Sequence, residues 1–206
     1  MPGPPPHPRA PGRPPRPGPP PVLVLALAAI AGGWAVARAG GPAPDRDGAA
    51  ARAAAALTRP SARARVVRTI DGDTAVIAFR DDAGPARVTV RYLGVDTPES
   101  VHPDKPVECF GPAASHANRG WATGRRVRLR FDRERVDPYG RVLAALVPDG
   151  WRRSLSERLV AEGLGRVLTI APNGADGPRL RRLQRRAEGR RVGLWGVCGD
   201  GLRSKE

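Results

Sequence analysis

Three short segments of this 206-residue chain place carboxylates and arginines beside hydrophobic runs. They are Asp71 to Thr74, Arg91 to Glu99 and Asp137 to Arg141. Cutting a phosphodiester requires a base that deprotonates water and fixed cations that meet the charge on the phosphate oxygens. Carboxylates and arginines can do this together with a hard divalent cation, because such ions prefer oxygen ligands. The segments therefore contain the side chains that phosphodiester hydrolysis needs.

Each segment alone also has an ordinary structural explanation. Asp71-Gly72-Asp73 is typical of a turn. Asp96 before Thr97-Pro98 is typical of a loop cap, and single arginines such as Arg91 and Arg141 are commonly solvated. Only their combination points to a site.

Hydrophobic periodicity indicates the elements that would position these segments. It predicts five short strands, with a helix inserted after the third and helices at the end. A capping box at Ser154 to Glu157 marks the start of the second helix. This order predicts a mainly β protein with helices (α+β), a five-stranded Greek-key barrel of the oligonucleotide-binding type with about three helices. The strands are expected at 66–70, 74–79, 88–93, 127–131 and 142–147, and the helices at 112–123, 154–162 and 176–190.

Four motifs together resemble the staphylococcal (micrococcal) thermonuclease family. They read IDGDT, R-x-L-G-V-D-T-P-E, V-E-x-F-G-P-x-A-S and D-x-Y-G-R, and they follow the family's order and approximate spacing from about Arg68 to Trp195. The resemblance implies an oligonucleotide-binding barrel. It also implies Ca²⁺-dependent hydrolysis of DNA and RNA that leaves 3′-phosphate ends.

The resemblance also assigns roles to individual residues. Glu99 resembles the general base, and Arg91 and Arg141 resemble the arginines that bind the scissile phosphate. Calcium would be held by the carboxylates of Asp73 and Asp96. The backbone carbonyl of Thr97 would complete the protein's calcium ligands, and Tyr139 would lie beside the phosphate.

Two departures from the family pattern concern the substrate. Pro138 stands where the family prototype has a lysine, which predicts the loss of one phosphate contact. The stretch from Arg166 to Ala171 lacks the tyrosines on which the prototype stacks a base. Base stacking is worth roughly 1 to 3 kcal/mol per base, so affinity or base preference is expected to differ.

A net charge of +15 indicates a polyanionic partner. Only three of the 35 basic residues and none of the 20 acidic ones lie in residues 1–37, so +12 belongs to the rest of the chain. Nucleic acid and an anionic surface both fit this charge, and so does the arginine bias of a GC-rich genome. Two rival functions remain at this point: a nucleic-acid-binding barrel that does not cut, and a cationic envelope protein. Neither function needs the complete set of Asp73, Arg91, Asp96, Glu99 and Arg141.

The N-terminal third predicts an exported protein. Residues 1–21 form a proline-rich basic region, and the uncharged run 22–37 ends in small residues, as in a secretory signal. A helix of this length spans roughly 24 Å, which favours a cleaved signal over a membrane anchor without excluding the anchor. Residues 38–62 are interpreted as a linker, 63–199 as the thermonuclease-like domain and 200–206 as a tail. We expect a secreted or cell-surface monomer that contacts a membrane only if the anchor persists.

The chain has two cysteines, Cys109 and Cys198. In an exported protein an even pair favours a disulfide over two separate thiols. Exported members of the family resemble this chain in having such a pair. Two cysteines without a histidine cluster make a poor zinc site.

Overall fold

The computed structural model describes residues 46–59, 62–100 and 106–198. The N-terminal segments 1–21 and 22–37 and the C-terminal tail 200–206 lie outside these ranges, so the predictions of a signal and of a tail are not addressed by it. No helix within the described ranges is both long and apolar enough to cross a membrane. The strands are β1 (Ala64–Thr69), β2 (Thr74–Asp81), β3 (Gly84–Tyr92), β4 (Val95–Asp96), β5 (Arg126–Arg130), β6 (Val142–Pro148) and β7 (Arg166–Val167).

Five of these strands close into a barrel in the order β1-β2-β3-β6-β5. Neighbouring strands are antiparallel except β3 and β6, which run parallel, and β5 returns to β1 to complete the ring. Alternate residues of the strands fill the interior, so that Val66, Ile77, Val90, Val127 and Leu146 are fully buried. The predicted five-stranded barrel of the oligonucleotide-binding type is confirmed.

The structure describes five helices, compared with about three in the prediction. Three are the predicted ones: α2 (Gly111–Ala122), α3 (Leu155–Ala161) and α4 (Gly177–Gly189). The capping box that opens α3 is present, with reciprocal bonds between Ser154 and Glu157. Asp176 precedes α4 as expected, but its carboxylate makes no cap and instead pairs with Arg130.

The linker prediction for 38–62 is wrong for the described residues 46–57. They include helix α1 (Arg46–Ala56), which packs on β2, β3 and β6. Its Ala50 and Ala53, with Leu57 just after it, are buried in the barrel core. Alanine-rich sequence resembles a linker in composition, yet alanine has the highest intrinsic helix propensity. A face of small side chains is enough to pack α1 closely on the barrel.

Three short elements, β4, β7 and α5, were not predicted and lie beside the polar segments. β4 follows β3 directly and pairs with β7, placing Asp96 opposite Arg166. Helix α5 (Leu194–Val197) follows α4, and its Leu194 is buried while its backbone N–H donates to the carbonyl of Gly163. The hydrogen bond to Gly163 ties the C-terminal segment to the turn between α3 and β7.

Candidate active site

Asp73 is the most buried carboxylate of the predicted site, with 5% of its surface exposed. It lies in the tight turn between β1 and β2, where its backbone N–H donates to Oδ1 of Asp71. The backbone N–H and the hydroxyl of Thr97 both donate to Oδ2 of Asp73, at 2.8 and 2.9 Å. A Cβ at Gly72 would come within 2.5 Å of the Thr97 side chain, so this approach requires a glycine. The IDGDT turn is therefore docked directly on the segment that carries Asp96 and Thr97.

Arg91 connects the two predicted calcium carboxylates. Its Nη1 lies 2.7 Å from Oδ1 of Asp73, and its Nη2 lies 2.7 Å from Oδ1 of Asp96. Nη1 also donates to the backbone carbonyl of Val95 at 2.9 Å. Because β3 ends at Tyr92 and β4 begins at Val95, the turn folds the two acids around one guanidinium. The structure thus brings Asp73, Arg91, Asp96 and Thr97 into a single contact cluster.

Burial raises the pKa of one carboxyl in this cluster, Asp96, and of Asp71 beside it. For Asp96, desolvation raises the pKa, Arg91 opposes the increase, and the charges of Asp73 and Glu108 add to it. For Asp71, desolvation and the neighbouring Asp73 raise the pKa. A cation placed between closely spaced acids stabilises their ionised forms. In this structure Arg91 is such a cation.

Glu99 follows Thr97 by two residues in a loop closed by Glu108. The backbone N–H of Glu99 donates to the Glu108 carboxylate at 2.9 Å, and the N–H of Glu108 donates to the carbonyl of Glu99 at 2.8 Å. The Glu99 carboxylate accepts from the N–H of Ser100. A Cβ at Gly111, the first residue of α2, would lie 2.2 Å from the Glu99 carbonyl, so the loop is packed against this helix. The backbone around Glu99 is therefore fixed from two sides.

Arg141 is held by Asp137 within the D-x-Y-G-R motif. Its Nε lies 2.7 Å from Oδ2 of Asp137, and its backbone N–H donates to Oδ1 at 2.8 Å. The same Oδ1 accepts from the N–H of Tyr139. The Tyr139 ring is 82% exposed and lies beside the Arg141 guanidinium, 5.5 Å from ring centre to Cζ. Asp137 thus orients the Arg141 side chain and fixes the backbone at Tyr139.

A cleft of about 380 Å³ joins the two arginines. Arg91 lines it at the end of β3, and Arg141 lines it just before β6, the parallel neighbour of β3. The two departures from the family pattern also lie on its wall. Pro138 contributes to the wall beside Tyr139, and the segment after β7 contributes Leu168, Thr169 and Ile170. Leu168 and Ile170 are exposed, so the wall presents aliphatic side chains where the family prototype has tyrosines.

Three side chains of this region were not predicted to have a role. Asp137 belongs to the D-x-Y-G-R motif, so its position was a usable signal. Arg166 gave no local signal, because its position depends on contacts distant in sequence. Glu108 lies in the V-E-x-F-G-P-x-A-S motif, but the motif did not indicate its contact with Glu99. The Arg166 guanidinium lies over the Trp195 ring at 5.7 Å. Its Nε and Nη2 are buried and have no hydrogen-bond partner among the described residues, and the charges of Glu108 and Asp96 act on it.

The predicted disulfide between Cys109 and Cys198 is present in the structure. It links the residue after Glu108 to the residue after α5, across 89 positions of sequence. The C-terminal segment is thereby fastened to the loop that carries Glu99.

The barrel with these residues at its rim defines a nuclease-like fold, and residues 89–197 match the family model described as staphylococcal nuclease homologue. The chain belongs to this family. It is 35% identical over 133 residues to the thermonuclease of Staphylococcus hyicus, a match that covers 64% of this chain and 74% of the relative. It is 38% identical over 132 residues to the thermonuclease of Staphylococcus intermedius, covering 63% and 74%. Endonuclease YncB of Bacillus subtilis is 36% identical over 134 residues, covering 64% of this chain and 61% of the relative.

Proposed function

We propose that this protein is a calcium-dependent endonuclease that hydrolyses phosphodiester bonds of DNA and RNA and leaves 3′-phosphate ends. One observation carries the proposal: Arg91 and Arg141 line one cleft, while Arg91 also contacts the two acids best suited to hold a cation. Relatives named thermonuclease and endonuclease support the nuclease part of it. The product ends and the choice of calcium come from the family resemblance.

The donor set fits a hard cation. The carboxylates of Asp73 and Asp96 supply oxygen ligands, and the backbone carbonyl of Thr97 would supply a third. Among the described residues no three Asp, Glu, His or Cys side chains are grouped as a metal cluster. Calcium takes six to eight oxygens, so water and a substrate phosphate would complete the shell. Bound there, calcium would supply positive charge to the phosphate and to the attacking water.

The protein's own side chains account for the rest of the reaction. Glu99 would accept the proton of the attacking water, since an ionised carboxylate is a competent general base. Arg91 and Arg141 would pair with the oxygens of the scissile phosphate, and their planar forks remain charged at any working pH. Because negative charge on these oxygens grows during displacement, the arginines stabilise the transition state more than bound substrate.

Plasmid digestion provides the test. With Ca²⁺ the protein should cut supercoiled plasmid and single-stranded RNA, and excess chelator should stop both reactions. Enzymatic labelling of the fragments at their 3′ ends should require removal of a 3′-phosphate first. Tight binding without cleavage would instead identify the barrel as a nucleic-acid-binding module. Full cleavage in chelator would refute the calcium requirement.

We further propose that the protein works outside the cytoplasm, after export directed by residues 22–37. The disulfide supports this location, because such bridges persist in oxidising compartments. N-terminal sequencing of protein from the culture medium should show a start near Arg38 or Gly40. Recovery of only membrane-bound, full-length chain would favour an anchor instead.

A further inference from the structure

The outer side of β3 connects the candidate active site to a second basic region. Val88 and Val90 point into the core, so Arg87, Thr89 and Arg91 face outward. At about 3.3 Å per residue, Arg87 and Arg91 are about 13 Å apart along one strand face. The outward face of β3 therefore extends from the cleft at Arg91 to Arg87.

A row of outward-facing residues crosses the barrel wall at Arg87. Arg87 is paired with Ala78 of β2, Ala78 with Arg65 of β1, and Arg65 with Arg126 of β5. Strands lie about 4.8 Å apart, so this row is about 14 Å wide. Its three arginines are exposed, whereas the intervening Ala78 is small and half-buried. Arg68, also exposed, lies in the next outward row, paired with Val76.

This arrangement places like charges next to each other without compensation. Arg65 and Arg126 are direct cross-strand partners, a pairing that destabilises a sheet. The Arg65 guanidinium donates to the carbonyl of Gly124, which keeps it at the surface. In the part of the chain that the structure describes, Arg65, Arg68, Arg87 and Arg126 have no ion pair with a carboxylate. We call these four residues the arginine face.

We propose that the arginine face binds phosphates of the substrate strand several nucleotides from the bond that is cut. The inference rests on the proposed nuclease function and extends it to the class of substrate, since only a polynucleotide reaches from the cleft to this face. Guanidiniums suit phosphates because each can donate two parallel hydrogen bonds. Phosphate binding would also relieve the repulsion between Arg65 and Arg126. The distance spanned fits the roughly 4 to 16 nucleotides that barrels of this type cover.

The test removes three charges from the face and compares strands of two lengths. The variant carries Arg65→Gln, Arg87→Gln and Arg126→Gln. The matched control carries Arg182→Gln, Arg186→Gln and Arg190→Gln. These exposed arginines lie on or just after α4, a helix that packs on α3, α5 and β7. Affinity for single-stranded DNA of 4 and 16 nucleotides is measured by fluorescence anisotropy in excess chelator, between 50 and 200 mM salt.

The wild-type protein should bind the 16-mer more tightly than the 4-mer, and the face variant should lose this difference. The salt slope is the decrease in the logarithm of the binding constant per unit increase in the logarithm of salt concentration. Each phosphate contact to a single strand contributes about 0.7 to this slope, so three lost contacts should lower it by about 2. Between 50 and 200 mM salt the wild type should therefore lose about 16-fold more affinity for the 16-mer than the face variant does. An equal effect on both lengths, or an equal effect of the control variant, would overturn the proposal.

Cleavage and vesicle binding complete the design. With Ca²⁺, kcat/KM for the 4-mer should be the same in the face variant and the wild type, whereas kcat/KM for the 16-mer should fall about tenfold in the variant. Loss of binding to phosphatidylglycerol vesicles with unchanged DNA binding would assign the face to a membrane and overturn the proposal. If the wild type cut neither strand, the proposed function would fail. The chelator experiment would still decide whether the face binds the longer strand.

Discussion

The guanidinium of Arg91 lies 2.7 Å from the buried carboxylate of Asp73, and it also reaches Asp96 at 2.7 Å. A residue proposed to bind phosphate therefore neutralises the two acids proposed to bind calcium. One guanidinium in one position cannot bind a phosphate and neutralise both acids at the same time. Arg91 must shift from at least one carboxylate when a cation and a phosphate bind.

The first prediction follows from this competition. Arg91→Gln should bind Ca²⁺ more tightly than the wild type in the absence of substrate, while its turnover collapses. Two unit charges of the same sign about 4 Å apart repel by about 4 kcal/mol at an effective dielectric constant of 20, so even strong screening leaves roughly a tenfold gain in affinity. Calorimetric titration measures the affinity. Arg63→Gln, which removes a surface charge paired with Asp149, serves as control. Weaker calcium binding by Arg91→Gln would place the ion elsewhere.

The second prediction concerns the proposed base. Glu99→Gln should lower kcat by about 10² to 10⁴-fold, because an amide cannot take the proton of water. Folding should be unaffected, since the loop is closed through the backbone of Glu99 and the side chain of Glu108. Steady-state kinetics with circular dichroism checks both points. Glu162→Gln, just after α3, is the matched control and should keep normal activity. A folded Glu99→Gln with near-normal kcat would remove Glu99 from the mechanism.

Strand periodicity and motif order were enough to predict the barrel and three of its helices. Alternation at β3 and β5 is regular because one side of each strand faces the core. Helix α1 escaped prediction because its alanines carry no apolar-to-polar contrast. The two-residue strands β4 and β7 are too short for any periodicity to be visible.

The candidate site was predictable where local motifs carry the side chains, and not where distant contacts position them. Asp73 and Arg91 belong to motifs, so their identities could be read from the sequence. Arg166 approaches Asp96 only because β7 pairs with β4. Glu108 belongs to the V-E-x-F-G-P-x-A-S motif, but the motif does not show that its carboxylate accepts a hydrogen bond from the backbone N–H of Glu99. Residues that position others depend on the fold, which is why sequence reasoning missed them.

The third prediction distinguishes the role of Arg141 from that of Asp137, which holds it. Arg141→Ala should lower kcat by at least 10²-fold with a smaller change in KM, because this charge acts mainly on the transition state. Asp137→Asn should give a milder loss, since an amide oxygen can still accept one of the bonds that Asp137 receives from Arg141 and Tyr139. Kinetics at fixed salt and Ca²⁺ measures both effects. The double change Arg181→Gln/Arg185→Gln on α4 should affect only salt-sensitive binding. Equal kcat in Arg141→Ala and wild type would contradict the assignment.

The fourth prediction makes Glu108 a positioning residue. Glu108→Ala removes the acceptor for the Glu99 N–H and should lower kcat by up to about 100-fold, the cost of an approximately 1 Å displacement of a reacting group. Glu108→Gln keeps a carbonyl acceptor and should restore most of the activity. The comparison of kcat with KM for the two variants is decisive, because KM should change little in either. Equal losses in both variants would mean that the negative charge facing Arg166 matters, and not the hydrogen bond.

The last prediction concerns the bridge between Cys109 and Cys198. The bridge closes an 89-residue separation, which should add roughly 4 to 5 kcal/mol to the free energy of unfolding in the chain-entropy model. The double variant Cys109→Ser/Cys198→Ser should therefore lower Tm by roughly 10 to 20 °C. Well below that Tm the variant should still cut DNA, because buried Leu194 and its bond to the Gly163 carbonyl hold α5 without the bridge. Thermal unfolding and activity at low temperature are measured together, and thiol titration of denatured, unreduced wild type should find no reactive thiol. A large fall in kcat at a temperature where the variant is fully folded would show that the bridge also positions the Glu99 loop. An unchanged Tm would show that the bridge adds nothing to stability.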